Sequence, residues 1–287
     1  MELELKRGGR TARVETLGGE LVSYREYIWG GDPAYWPGRN PLLFPIVGML
    51  KEGKIRFDGR EYAMERHGFA RRREFTPAAR GEDWVRLELR ESAETLALYP
   101  YPFRLAVEQR LTDTGFSTAV TVANPGEGPL PFCLGAHTGF RCPLEAGERF
   151  EDYELVFPER ESCPTLLLRD GLLDRPAALP CLEDTDTLPL DYRWFDALDT
   201  LIFEGLRSRS VTLRSRKSGR GVRVSFDGFP MLAFWTMPGK KAPYLCIEPW
   251  HGCAAGTAEG PEFTDKAHCI VLAPGESRTL AYRADTL

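Results

Sequence analysis

Apolar and polar residues alternate with a period of two through most of this chain, which commits it to strands with one buried face. From Phe103 to Leu111 the odd positions read Phe103, Leu105, Val107, Gln109 and Leu111, with Arg104, Glu108 and Arg110 opposite. Asp113-Thr114-Gly115 supplies turn chemistry, and Phe116, Thr118, Val120 and Val122 resume the pattern, so the segment reads as a hairpin. Val211–Arg216 and Val222–Phe226 repeat the design around Lys217-Ser218-Gly219-Arg220-Gly221. Further strand-like runs lie at Leu3–Leu5, Leu21–Ile28, Lys54–Met64, Trp84–Leu89, Tyr153–Phe157, Leu201–Phe203, Met231–Trp235, Tyr244–Ile247 and Ile270–Tyr282. No segment sustains a helical period over about three turns, and 28 glycines and 22 prolines punctuate the chain as many short strands require. The Pro-rich stretches Gly30–Pro45 and Pro158–Pro189 read as long loops, the kind that often carry function in all-β proteins. No fixed-period repeat or Ser/Gly-rich linker divides the sequence, so the expectation is one antiparallel β-sandwich domain over residues 1–287.

Composition narrows the partners. With 43% hydrophobic and 28% charged residues the chain is globular rather than disordered. A net charge of −5 gives no whole-chain attraction to phosphate backbones, so nucleic acid is not an expected partner. The N-terminal Met-Glu-Leu-Glu-Leu-Lys-Arg has no apolar signal core. The longest apolar run, Leu42 to Leu50, contains Pro45 and Gly48 and falls far short of the roughly 20 residues of a membrane span. Cysteines 133, 142, 163, 181, 246, 253 and 269 are odd in number and form no Cys-x-x-Cys pair. They read as reduced core thiols of a cytoplasmic protein rather than a disulfide framework or zinc ribbon.

Chemistry gathers around few residues. Of four histidines, His67 sits in Arg66-His67-Gly68-Phe69-Ala70-Arg71, His137 in Gly135-Ala136-His137-Thr138-Gly139-Phe140, and His251 after Glu248-Pro249-Trp250. Each alone is equally served by a satisfied core position. Glu248 is less ordinary, because it ends the apolar run Ala242–Ile247 and precedes Pro249 and Trp250. A carboxylate in such surroundings is usually paired or used, and desolvation there raises its pKa toward the range of a general base. His-x-His, His-Glu-x-x-His and EF-hand spacings are absent, as are Gly-rich phosphate loops and Gly-x-Ser-x-Gly, so neither metal nor cofactor is expected. Trp235 and Trp250 flank the Glu248 segment, and aromatics beside polar groups suit a pyranose, whose C–H faces stack while its hydroxyls need partners.

Taken together, the chain resembles the aldose 1-epimerase (galactose mutarotase-like) family, in particular its shorter bacterial branch. The matching pieces are Gly19–Ser23, Tyr27-Ile28-Trp29, Pro41–Gly48, His67–Arg71, Gly135-Ala136-His137 with Phe140 and Pro143, Asp199–Phe203, Cys246–Trp250 with Gly252, and Leu272–Glu276. The resemblance implies a β-supersandwich with its site on a concave sheet face. It also implies Glu248 as general base, His137 as general acid, and His67 and Asp199 as sugar-binding residues. Where the galactose-type members carry an arginine in an Asn-Arg-Ile segment, this chain has Gly48-Met49-Leu50-Lys51, and Arg71 is the candidate replacement.

The expected activity is therefore interconversion of hexose anomers by acid–base ring opening and reclosure, on a small sugar and without a cofactor. Two alternatives accompany it. A hexose 6-phosphate epimerase would read its phosphate through Arg39, Arg71, Arg72 or Arg73, and a non-catalytic sugar-binding protein would keep only the fold. A retaining glycosidase would need a pair of carboxylates, for which Asp199 and Glu248 are the candidates. Monomer and homodimer both remain open.

Overall fold

The computed structural model describes residues 1–287, apart from the side chain of residue 176. Its largest element is a 15-stranded sheet whose path runs from Leu42–Leu43 through Leu134–Ala136, Tyr244–His251, Met231–Trp235 and Thr200–Glu204 to the long strand Tyr153–Arg169. From there it continues through Ser210–Ser215, Gly221–Ser225, Ser277–Thr286, Gly115–Ala123, Arg104–Leu111 and Trp84–Arg90 to Thr76–Arg80. Apart from isolated bridges, the strand pairs are antiparallel, as the alternation requires. A three-stranded sheet of Glu2–Arg7, Arg10–Glu15 and Glu20–Tyr24 and two two-stranded ribbons complete the architecture.

The strand Tyr153–Arg169 joins the two halves of the large sheet, pairing Tyr153–Val156 with Ser215–Thr212 on one side and Leu166 with Ile202 on the other. Inward residues of both halves merge into one core, with Leu245, Ile247, Phe234 and Leu201 from the first and Val222, Val224, Val120 and Leu105 from the second. Polar contacts also span the layers: Thr138 Oγ donates to Asn40 Oδ1 at 2.7 Å and lies 3.1 Å from the Tyr282 hydroxyl. The hairpin expected over Phe103–Val122 is present in register, Phe116 facing Leu111 and Val120 facing Val107. Its inward polar residue is satisfied, because Gln109 donates to the Gly19 carbonyl at 2.9 Å and accepts from Thr118 at 2.7 Å.

One expectation is overturned. Pro158–Pro189 is not a loop but most of a long hairpin, Tyr153–Arg169 against Leu172–Pro189. Pro158, Pro164 and Pro180 fall where the register shifts, between Val156 and Glu161 and between the Cys163–Leu182 and Thr165–Leu179 pairs. Missing N–H groups are tolerated at such bulges, and Leu172–Pro189 is an outer strand that, apart from a bridge between Leu173 and Gly256, pairs with its hairpin partner. Lys54–Met64 and Ile270–Tyr282, read as single runs, each divide at a turn, into Lys54–Phe57 with Arg60–Ala63 and into Ile270–Leu272 with Ser277–Thr286. Gly30–Pro45 is a loop, as expected, up to the two-residue strand at Leu42. All seven cysteines are free thiols, five of them buried, and no described helix is long and apolar enough to cross a membrane.

Candidate active site

Strand register builds the site. Thr138 faces Ile247 and Gly135 faces Trp250 on the two short strands that flank His137, so His137 lies directly opposite Glu248. On the other side of the Tyr244–His251 strand, Ala233 faces Glu248 and Trp235 faces Cys246. Alternation then puts Cys246 and Glu248 on the face opposite Leu245 and Ile247, which point into the core, while Trp250 both lines the cavity and packs against that core. The residues around the His–Glu pair are small, namely Gly135, Gly139 and Ala233, and the sheet face beside them carries a hollow. At Gly135 a β-carbon would sit 2.9 Å from Trp250 Cδ1 and 3.1 Å from both Leu43 and Val47, so any side chain there displaces the Trp250 indole.

The hollow is a cavity of about 270 Å³, close to the lower end of ordinary ligand pockets. His67, Arg71, His137, Asp199, Trp235, Glu248 and Trp250 all line it, so every residue singled out from sequence as catalytic or sugar-binding converges here. His137 Nε2 and Glu248 Oε1 are 3.4 Å apart on its floor, with Glu248 only 1% exposed. His67 meets His137 edge-on, ring centroids 5.6 Å apart. Its Nδ1 accepts the Gly48 N–H at 3.1 Å, which leaves Nε2 to carry the proton.

Two of these residues sit in costly backbone conformations. His67 has φ 66°. Asp199, which ends the helix Tyr192–Leu198, has φ 62° and ψ −62°, the angles of a strained γ-turn. Such strain in side chains that line a cavity is typical of residues held for function. Asp199 remains exposed, its carboxylate accepting the Thr200 hydroxyl at 2.9 Å.

Burial sets the electrostatics. It lowers His137 to about 3 and holds His67 well below the ordinary imidazole range, with the neighbouring histidine and arginines adding repulsion at His67. It also pushes Glu248 well above the ordinary carboxylate range, with the Asp199 charge adding to the shift and Arg66 opposing it. Burial therefore favours the uncharged form of both groups, neutral His137 and carboxylic-acid Glu248. Glu248 Oε2, His137 Nδ1, Trp250 Nε1 and Arg71 Nε are buried without protein partners, a concentration of unmet hydrogen-bonding capacity at one place.

Sequence reasoning missed the rim. Trp36, from the Gly30–Pro45 loop, lies over His137 with ring centroids 4.8 Å apart and meets Trp235 edge-on at 5.6 Å. Met49 and Arg66 also line the cavity, as do Leu168 and Gly171 at the tip of the long hairpin. That tip is tied down by Leu173, whose N–H donates to the Ala255 carbonyl at 2.9 Å and whose carbonyl accepts from Thr257 at 2.8 Å. Arg66 precedes His67 in the motif already noted, and that adjacency was the available signal.

The aldose 1-epimerase family profile matches residues 1–284. The chain belongs to the aldose 1-epimerase family. It is 40% identical over 295 residues to the plasmid form of Protein LacX from Lactococcus lactis subsp. lactis, covering 98% of each chain. The solved galactose mutarotase related enzyme of Lactobacillus acidophilus superposes with a TM-score of 0.95 at 27% identity, covering 100% of this chain and 97% of that one. A galactose mutarotase-like protein from Lactobacillus casei gives 0.89 at 28% identity, covering 100% of both. The galactose mutarotase-like, mostly antiparallel β architecture expected from the sequence is thus the architecture observed.

Two arginines line this cavity. The Gly48–Lys51 segment contributes Gly48 and Met49 to the lining, while the guanidinium groups come from Arg66 and Arg71. Arg71 Nη2 donates to the Arg66 carbonyl at 2.8 Å. Arg39, Arg72 and Arg73, considered from sequence as phosphate readers, do not line the cavity. Arg39 reaches Glu15 at 3.4 Å, and Arg72 and Arg73 pair with Glu65 and Glu94 on the exterior. His251 also stands apart, its Nδ1 2.8 Å from the His268 carbonyl oxygen.

Proposed function

We propose that the protein interconverts the α and β anomers of a free hexose or similar aldose, with Glu248 acting on the anomeric O1 hydroxyl and His137 on the ring oxygen. The observation that carries this reading is the direct opposition of the two groups, 3.4 Å apart on the floor of a sugar-sized cavity. Glu248 takes the O1 proton while protonated His137 gives one to the ring oxygen. The C1–O5 bond breaks, the aldehyde forms, C1 rotates about C1–C2, and closure on the other face reverses both transfers. His67, Arg71 and Asp199 bind hydroxyls, and Trp235 and Trp250 offer apolar faces to the ring. The setting proposed is the cytoplasm, in keeping with seven unpaired thiols.

The burial of the pair supports this mechanism. The cyclic sugar is matched by Glu248 carboxylate with His137 imidazolium, and the open aldehyde by Glu248 carboxylic acid with neutral His137. Both states hold one proton on the pair, and the dry floor favours the second, which lowers the free energy of the ring-opened species relative to the ring. Saturation-transfer NMR on a panel of aldoses tests the proposal. Exchange above the spontaneous rate, abolished in His137→Ala, is the expected result, and sugar binding without faster exchange overturns it.

The pH profile follows from the same shifts. The pair needs one proton, and burial delays arrival of the second by lowering His137 and delays loss of the first by raising Glu248. kcat/KM is therefore expected to show no acid limb from about pH 5 upward. An acid limb centred on the ordinary histidine pKa of about 6.5 would contradict the assignment.

Arg66 and Arg71 on the lining favour a second reading, in which the sugar carries a phosphate. Competition by inorganic phosphate separates the two. For a free-hexose enzyme kcat/KM is expected to be unmoved, whereas for a phosphosugar enzyme KM rises with phosphate and Arg66→Ala relieves the rise.

A further inference from the structure

The register that opposes His137 to Glu248 also puts Cys246 beside them, two residues along the same strand and on the same face. A ring nitrogen of His137, the Cys246 sulfur and a carboxylate oxygen of Glu248 lie within 4.8 Å of one another, all three residues being buried. The mechanism uses two of these groups and leaves the thiol idle. We propose that the cavity floor is a binding site for a borderline-soft divalent cation of the zinc class, held by His137, Cys246 and Glu248, and that its occupation switches the proton-transfer pair off. Inhibition, though not binding, rests on the catalytic assignment above.

The donor set is the argument. Imidazole, thiolate and carboxylate are the three side-chain ligand types of zinc, and the thiolate selects against Mg²⁺ and Ca²⁺. Zinc bond lengths of about 2.0–2.3 Å put tetrahedral ligand atoms about 3.4–3.7 Å apart. The His137–Glu248 separation of 3.4 Å already meets that spacing. Cys246, packed with Trp29, Tyr244, Trp36 and Trp235, has to close by about 1 Å. Glu248 Oε2, buried and unpartnered on the same carboxylate, adds an independent sign of unmet bonding capacity at this floor. The cavity above leaves room for water at the fourth position. Metal entry displaces the Cys246 thiol proton and the Glu248 carboxyl proton to water, and the bound lone pairs can no longer serve the sugar.

The test combines cobalt spectroscopy with anomer exchange, so that the site and its effect on catalysis are read separately. Wild-type protein is expected to take up Co²⁺ with a thiolate-to-cobalt absorption in the near ultraviolet and tetrahedral visible bands, both removed by added Zn²⁺. Cys246→Ala and His137→Gln are expected to lose that spectrum. Zn²⁺ is expected to lower wild-type kcat/KM by about 10²-fold or more, the contribution of a positioned proton-transfer pair, with EDTA restoring it. Cys246→Ala keeps basal exchange and becomes insensitive to Zn²⁺. Absence of the cobalt spectrum in wild type, or equal zinc sensitivity in Cys246→Ala, overturns the proposal. A cobalt spectrum in a protein that never accelerates anomer exchange supports the metal site and removes only the epimerase reading.

Discussion

A Glu248→Gln variant is expected to exchange anomers about 10²–10⁴-fold more slowly than the parent while unfolding at the same temperature or higher. Glutamine has the shape of the carboxylic acid but cannot pass a proton between O1 and the protein, so the loss falls on turnover. The carboxyl it replaces is desolvated, with Oε2 lacking any protein partner, and a buried polar group in that condition opposes folding. Exchange rates and a thermal melt decide the matter together. Near-parent turnover removes Glu248 from the mechanism, whereas a large fall in melting temperature would make it a structural residue. His137→Ala is expected to lose turnover similarly, but with some loss of stability, because it empties the space under Trp36.

A Gly68→Ala variant is expected to lose about 2–5 kcal/mol of stability, combining about 1–2 for a left-handed residue with about 1–3 for overpacking. Gly68 has φ 69°, and a β-carbon there would lie 2.2 Å from the Phe44 carbonyl oxygen and 2.8 Å from Pro45 Cδ. The Phe44 carbonyl cannot withdraw freely, since it accepts the N–H groups of Phe69 and Ala70 at 3.0 and 3.2 Å. The melting temperature should fall by roughly 4–15 °C, scaling from larger domains. Activity should fall as well, because His67 is the adjacent residue and its Nδ1 contact with Gly48 depends on this turn. A melt within a degree of the parent would show that the turn can open without cost.

Much of this was legible in the sequence because alternation is a local signal. Phe103–Val122 and Val211–Phe226 carry their own turn chemistry, so their pairing needs no knowledge of the rest of the chain. Met231–Trp235 and Tyr244–His251 could be recognised as strands, but the short strands Leu134–Ala136 and Thr138–Arg141 that flank His137 were missed, and the order of all four in the sheet is non-local. Only that order sets His137 opposite Glu248 and Ala233 on its far side. The prolines of Pro158–Pro189 concealed a hairpin, because a proline speaks against a regular ladder and cannot announce a bulge. Trp36, Met49 and Arg66 lie on loops whose composition gives no hint of the direction they face. Arg10–Glu15 passed unnoticed since its inward residues are only Ala12 and Val14. The seven nominated site residues were reached through the ordered set of motifs, and no one motif would have been sufficient.

The floor of this cavity and its rim come from different kinds of chain. Glu248 stands on a strand inside a broad sheet and His137 at the junction of the two short strands paired to it, whereas Trp36, Arg66, Asp199, Leu168 and Gly171 hang from turns, a helix end and a hairpin tip. Inheritance can treat the two separately. Drift in the peripheral segments can reshape which sugar is admitted and leave the machinery beneath untouched, because neither the His137 nor the Glu248 side chain is hydrogen-bonded to them. A lineage built on this plan can acquire new substrates one loop at a time, while the two residues that move the proton descend unchanged.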